Sequence, residues 1–300
     1  AGPGASLGMT DTVDKHVSRK YDIGRVLGKG AYGIVWHSVD KKTKQVVAVK
    51  KIFDAFQNPT DAQRTFREVV FLKQLSHHDN VVTLFDVFRA DNDKDIYLVF
   101  EYLETDLHAV IRAGILTEVH QKFIMYQCCN ALSYMHSANL IHRDLKPANI
   151  LINSAGFVKL SDFGISKELN FTQGQAATHC GTLAYMSPER IRGELYSFSA
   201  DLWSLGLIAL EMSCGGYPYP VSQNYFDTVK NIVDGPLPTE TPQVQAALAP
   251  DLLQLVHAAI DKDPACRPDI SALLRHPFIA RYQAAPIDLR AYLQSLSRSA

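Results

Sequence analysis

The stretch from Leu140 to Ile152 constrains this chain more than any other. His142-Arg143-Asp144-Leu145-Lys146-Pro147-Ala148-Asn149 is mostly polar and lies between two apolar runs, Leu140-Ile141 and Ile150-Leu151-Ile152. That pattern predicts a polar loop held by short buried segments on both sides, so the fold must bring a core up to each flank. The loop carries a carboxylate that can accept a proton (Asp144) and an ammonium (Lys146). Five residues after Asp144 it carries an amide oxygen that can bind a metal (Asn149). A carboxylate, a cation and a metal-binding amide so close together suit phosphoryl transfer, where positioning and charge neutralisation carry most of the catalysis.

The rest of the composition sets bounds. A length of 300 residues allows one or two domains, and 47% hydrophobic with 20% charged residues is enough for a sizeable core. The formal net charge of -1 gives no bulk attraction to nucleic acid or an anionic membrane, so neither is expected as a partner. No apolar run is long enough for a bilayer span. Residues 1–8, ahead of Met9, read as a flexible tail or an expression remnant rather than a secretory signal. Five sparse cysteines without a Cys-x-x-Cys point to reduced thiols and a cytoplasmic setting, with the nucleus as an alternative. Cys128 and Cys129 fall on a predicted helix over 117–137 and read as small core residues. The Pro-rich run 233–242 reads as a loop, not a domain linker.

From Tyr21 the chain turns strand-like and enters Gly28-Lys29-Gly30-Ala31-Tyr32-Gly33, followed by the β-formers Ile34, Val35 and Trp36. The glycines therefore join two strands as a hairpin, which suits a flap whose amides lie over phosphates; an ordinary Gly-rich turn is the plainer alternative. Val46-Val47-Ala48-Val49-Lys50 is a strand ending in a lysine, which alone would read as a surface charge. Thr60-Asp61-Ala62-Gln63 reads as a capping box opening a helix. On that helix Glu68, Leu72 and Leu75 share one face, and a glutamate on an apolar face needs a partner, for which Lys50 is at hand. Ile96 to Phe100 is a further strand, broken at Glu101-Tyr102-Leu103. Asp162-Phe163-Gly164 follows Asp144 by 18 residues. The run 202–210 is apolar all round and predicts a helix buried in the centre of a lobe.

His142-Arg143-Asp144-Leu145-x-x-x-Asn149 resembles the catalytic loop of eukaryotic protein kinases. The strand ending at Lys50, Asp162-Phe163-Gly164, and Met186-Ser187-Pro188-Glu189 in place of Ala-Pro-Glu extend the resemblance from about Tyr21 to Ile279. It implies an α+β, two-lobed protein-kinase fold: a small antiparallel sheet with one helix over 21–102, and a larger, mainly helical lobe over 103–279. Flexible tails are expected at 1–20 and 280–300. It also implies ATP and Mg2+. The nucleotide would be held by Leu27, Gly28, Lys29, Gly30, Ala31, Tyr32, Gly33, Val35, Ala48, Lys50, Phe100, Glu101, Leu103, Asp106 and Leu151. Asp106 also reads as a helix N-terminal acid favoured by the dipole, and both roles can hold together. Lys50 paired with Glu68 would hold phosphates, Asp144 would orient the substrate hydroxyl and Lys146 would neutralise phosphate charge, with Asn149 and Asp162 on the metal. Glu189 is expected against Arg267, and Asp201 against the catalytic-loop backbone. Thr178 matches the activating phosphorylation site, with Thr172 as its rival, and Arg67, Arg143 and Lys167 would receive that phosphate.

Two branches of the mitogen-activated protein kinase cascade share the details. Lys50 to Phe56, Thr65 to Glu68 and Glu104 to Leu107 resemble mitogen-activated protein kinases. Asn149 to Ser154, Tyr185 to Arg190 and Gly216 to Pro220 resemble the kinases that activate them. The segment 165–185 lacks Thr-x-Tyr, and Met186 replaces the arginine of proline-directed kinases, so the mitogen-activated-protein-kinase-kinase-like reading is preferred here. The expected partners are a protein substrate, itself a downstream kinase, and an upstream activating kinase. Lys146-Pro147 is the serine/threonine form of the loop, and dual specificity stays open. A pseudokinase scaffold would lack one of Lys50, Asp144 or Asp162, and a small-molecule kinase is disfavoured by the long activation segment and Pro188-Glu189.

Overall fold

A computed structural model describes residues 12–30, 33–56, 58–153, 156–162, 183–219 and 225–280. The chain divides into two compact units, residues 1–77 with 82–103, and residues 78–81 with 104–300. The division falls one residue later than the expected 102/103, and it hands a short segment back to the second unit. The reason is local bonding. Asn80 donates to Gln127 Oε1 at 2.8 Å and to the Val158 carbonyl at 2.9 Å, and His78 stacks on Tyr134.

The first unit is an antiparallel sheet in the order β1-β2-β3-β5-β4. Its strands are β1 (Tyr21–Gly30), β2 (Gly33–Asp40), β3 (Val46–Ile52), β4 (Leu84–Arg89) and β5 (Ile96–Glu101). β2 and β3 alternate, with Ile34, Trp36, Val47 and Val49 buried on one face. These pack with Tyr21, Ala90, Tyr97 and Val99 into the core of the unit. Gly33 is sterically required, since a Cβ there would lie 2.1 Å from the Lys51 carbonyl oxygen on the neighbouring strand. The helix α2 (Pro59–Leu75) starts on proline at its first position, one residue before the expected capping box.

The tail expected over 1–20 is corrected at its end. Lys15–Lys20 form a helix, α1, whose Val17 is fully buried in the core of the sheet. Asp14 accepts the Asp91 N–H at 2.8 Å, which ties the segment down further.

The second unit is mainly helical. A small sheet of β6 (Thr105–Asp106), β7 (Ile150–Ile152) and β8 (Val158–Leu160) accompanies α3 (Leu107–Arg112) and α4 (Glu118–Ser137). There follow α5 (Pro188–Ile191), α6 (Ser199–Cys214), α7 (Tyr225–Val233), α8 (Pro242–Ala247), α9 (Pro250–Ala259), α10 (Ile270–Arg275) and α11 (Pro277–Ala280). As its all-round apolar sequence predicts, α6 is buried along most of its length. It approaches α9 closely: a Cβ on Gly206 would meet Ile260 Cγ2 at 2.7 Å and Ala259 Cβ at 2.9 Å. Cys128 and Cys129 are fully buried, and burial pushes the Cys128 thiol up to about 12, so both are inert core residues. Among the described residues, no helix is long and apolar enough to cross a membrane. The α+β class expected from the sequence is the class observed.

Candidate active site

The candidate residues divide between the two units, and each unit builds its own share. In the first, strand register does the work. Val35 lies opposite Lys50, and Ala48 lies opposite Phe100. Directly paired residues share a face. Val35, Ala48, Lys50 and Phe100 are therefore gathered on the face opposite the Ile34–Trp36–Val49 core, all half-buried. Gly28 pairs with Val35 and continues the same row into the glycine hairpin, beside Leu27, Lys29 and Gly30. β5 runs one residue further than expected, through Glu101, whose Oε1 accepts the Thr83 N–H at 2.7 Å. The expected break thus begins at Tyr102, with Leu103 buried behind it. Ala31 and Tyr32 lie outside the described residues. Arg67 and Glu68 sit on α2, but their side chains lie outside the description, so the Lys50–Glu68 pair stays an expectation.

In the second unit Asp144 is the centre. Its Oδ2 accepts Lys146 Nζ at 2.8 Å and Asn149 Nδ2 at 3.0 Å, and Asn149 Nδ2 also donates to the Asp144 carbonyl at 2.7 Å. A 3-10 turn over Pro147–Asn149 makes this possible by folding Asn149 back onto Asp144. The amide nitrogen of Asn149 is thereby committed to the loop, and its Oδ1 is the oxygen left to face a cation. Asp162 lies two residues past the end of β8, exposed and in the left-handed region at φ +52°. Asp106 caps α3 by accepting the Ala109 N–H at 2.8 Å, and it lies opposite Leu151 in β6–β7 pairing.

The loop is braced from below, as its sequence predicts. Asp201, at the start of α6, accepts the His142 N–H at 2.8 Å and the Arg143 N–H at 3.0 Å. Burial alone would raise the Asp201 pKa. The hydrogen bond from His136 at 2.9 Å and the fields of His142 and His136 hold it below the usual carboxylate range. It is therefore an anion at neutral pH and a strong acceptor. His142 is fully buried, and burial pushes its pKa down against the opposing fields of Asp201, Asp144 and Asp162. The expected pair of Glu189 and Arg267 is present, bidentate at 2.8 Å on both arms and buried.

What the two sets can do chemically is consistent. A lysine on the sheet face and glycine-hairpin amides favour phosphate anions. Asn149 Oδ1 and the Asp162 carboxylate are hard oxygen donors of the kind Mg2+ takes. The protein kinase domain model matches residues 21–279, more than half of the chain. The chain belongs to the protein kinase family. It is 42% identical to extracellular signal-regulated kinase 2 of Dictyostelium discoideum over 305 residues, covering 91% of this chain and 83% of that relative. It is 45% identical to mitogen-activated protein kinase 15 of Caenorhabditis elegans over 258 residues, covering 82% of this chain and 55% of the relative. The chain thus spans only about half the length of that relative.

These matches correct the preferred branch. Mitogen-activated protein kinase kinase 3 of Arabidopsis thaliana matches at 32% identity over 292 residues, with 96% of this chain and 55% of the relative covered. That is well below the two mitogen-activated protein kinases. The kinase-kinase-like motifs in the second unit are a handful of residues each, whereas identity over some 300 positions integrates the whole chain. The kinase-kinase-like reading of that unit is not supported, and the kinase is of the mitogen-activated, serine/threonine type.

Lys167, Thr172 and Thr178 lie outside the described residues. Arg143 is exposed, its guanidinium 5.9 Å from the Tyr196 ring. Two features of this kinase went unread in the sequence. Lys51, next to Lys50, points inward to Asp95 at 3.5 Å and lies over the Tyr97 ring. Its signal was present, since it continues the buried series Val47, Val49. Glu211, buried on α6, accepts the Tyr185 hydroxyl at 2.6 Å. A glutamate directly after the apolar run 202–210 was the available clue.

Proposed function

We propose that this kinase transfers the γ-phosphoryl group of ATP to serine or threonine of a protein substrate, as a mitogen-activated-protein-kinase-like enzyme. The observation that carries this is the Asp144 carboxylate, bonded by Lys146 and Asn149 in a loop whose backbone Asp201 braces. Both sets of residues serve one reaction in this reading. Lys50 and the glycine-hairpin amides hold phosphates, with Val35, Ala48, Phe100, Leu103 and Leu151 around the base and Asp106 toward the ribose. Asp144 accepts and orients the hydroxyl, and Lys146 stands ready to move from Asp144 toward developing negative charge. Asn149 and Asp162 would hold Mg2+, which would supply positive charge to offset that of the phosphates.

The partners in this reading are a protein substrate and an upstream activating kinase, the latter modifying Thr178 so that its phosphate meets Arg143, Arg67 and Lys167. A phosphate adds about -1.5 to -2 charge, enough to order a segment against such a cluster. Mass spectrometry of the active enzyme is expected to find Thr178 modified; full activity of Thr178→Ala would reverse that assignment. A cytoplasmic or nuclear setting accords with the free Cys128, Cys129, Cys214 and Cys266.

The deciding experiment is Asp144→Asn. Nucleotide affinity should stay close to wild type while kcat falls by roughly 10²–10⁴-fold, the usual contribution of a positioned acid or base. Undiminished phosphorylation by that variant would remove the assignment.

A further inference from the structure

Within the catalytic loop Asp144 is held by its neighbours, but the peptide that carries it is held from outside. Arg143, directly before it, has φ +70°. Few non-glycine residues adopt this left-handed region, and arginine has no short polar side chain to favour it locally. The residue is pinned at both of its backbone polar groups. Its N–H is bonded to Asp201 Oδ1 at 3.0 Å. Its carbonyl accepts Arg190 Nη1 at 2.5 Å, a charge-assisted bond. The two anchors come from different helices, Asp201 from α6 and Arg190 from α5.

Arg190 is itself tightly placed. The adjacent Glu189 is locked by the bidentate bond to Arg267 in the core. The Arg190 guanidinium lies 5.1 Å over the Tyr196 ring, which the Arg143 guanidinium also approaches. A rigid line therefore runs from the buried ion pair through Arg190 to the Arg143 carbonyl, which belongs to the peptide that joins Arg143 to Asp144.

We propose that Arg190 is a positioning residue for phosphoryl transfer. By holding the Arg143 carbonyl it sets the orientation of the Arg143–Asp144 peptide and, through it, of the Asp144 carboxylate. Tyr196 is the platform that keeps the Arg190 guanidinium at its donor angle. This rests on the reading of Asp144 given above. Neutral side chains of similar length at position 190 fill the space but cannot donate, and lysine can donate without the planar face that stacks on tyrosine.

The test uses the full chain with ATP, Mg2+ and a peptide substrate, and compares Arg190→Met, Arg190→Lys, Tyr196→Leu and Asp144→Asn. Arg190→Met is expected to lower kcat by about 100-fold, the scale of a small misplacement of a reacting group, with KM for ATP within about twofold. Arg190→Lys should recover at least about tenfold of that loss, and Tyr196→Leu should fall between the two. Amide exchange should rise across residues 142–146 and stay unchanged in α6, which a general loss of stability would not produce. The positioning role is overturned if Arg190→Met keeps kcat within about twofold, if lysine does no better than methionine, or if exchange rises equally through α6. Should Arg190→Met not fold, the kcat-against-KM split and the exchange pattern of Arg190→Lys and Tyr196→Leu decide by the same criteria. Activity retained by Asp144→Asn would refute the site itself; an inactive Asp144→Asn beside an active Arg190→Met would refute the positioning alone.

Discussion

Gly28 and Gly33 stand in one glycine motif, yet they answer to different constraints. A Cβ on Gly33 would lie 2.1 Å from the Lys51 carbonyl oxygen, while one on Gly28 meets nothing within 4 Å. Gly33→Ala should therefore push β2 off β3 and cost about 1–3 kcal/mol, the range for forced overpacking. Gly28→Ala should leave folding stability almost unchanged and act on KM for ATP. Urea denaturation of both variants checks the split, and equal destabilisation would contradict the register argument. The sequence motif could name both glycines but could not separate them, because the clash comes from a strand 18 residues away from Gly33. Lys50 and Lys51 show the same limit. Their neighbourhood on the chain is identical, and only the alternation of β3 sends one toward the candidate nucleotide face and the other to Asp95.

At the scale of elements, long patterned segments were legible and short ones were not. The helix expected over 117–137 is α4, capped at Thr117, and the all-apolar helix is α6. Each has enough turns for its periodicity to register. Six-residue α1 has too few, and its Lys15, Arg19 and Lys20 read as solvated tail, although Val17 is the residue that fixes it. Full burial of a valine side chain contributes about 1.5–3 kcal/mol. Val17→Asp replaces that gain with a desolvated carboxylate, so α1 should detach. The first unit should then unfold at lower urea, with proteolytic cleavage appearing between residues 12 and 21. A variant as stable and as protease-resistant as wild type would mean that α1 contributes nothing to the sheet. The same shortness applies to helices α8, α10 and α11, of four to six residues each.

Taken as a whole molecule, the chain is of the mitogen-activated type by overall identity, yet its second unit departs from that type at position 186 among other places. Position 186, before Ser187-Pro188-Glu189, is methionine where proline-directed kinases carry arginine. An arginine there offers five N–H donors to carbonyls or a phosphate nearby; methionine offers none. Met186 is buried, and its own N–H is used internally on the Leu183 carbonyl at 3.0 Å. The flanking backbone is fixed as well. The Tyr185 carbonyl accepts Ser204 Oγ at 2.7 Å, and the Ala184 carbonyl accepts the Tyr217 hydroxyl. No guanidinium draws on these carbonyls, and each keeps a second lone pair that can accept the N–H of the substrate residue following the phosphorylated one. Proline has no N–H to offer and loses that bond, whereas other residues keep it. A neutral hydrogen bond of this kind contributes about 0.5–1.5 kcal/mol, equivalent to a roughly two- to tenfold preference. The kinase is therefore expected to disfavour proline at that position, and Met186→Arg should move selection toward proline. A degenerate peptide library reads both. Dominant proline after the acceptor residue in the unaltered kinase would show that whole-chain similarity, not position 186, sets this specificity.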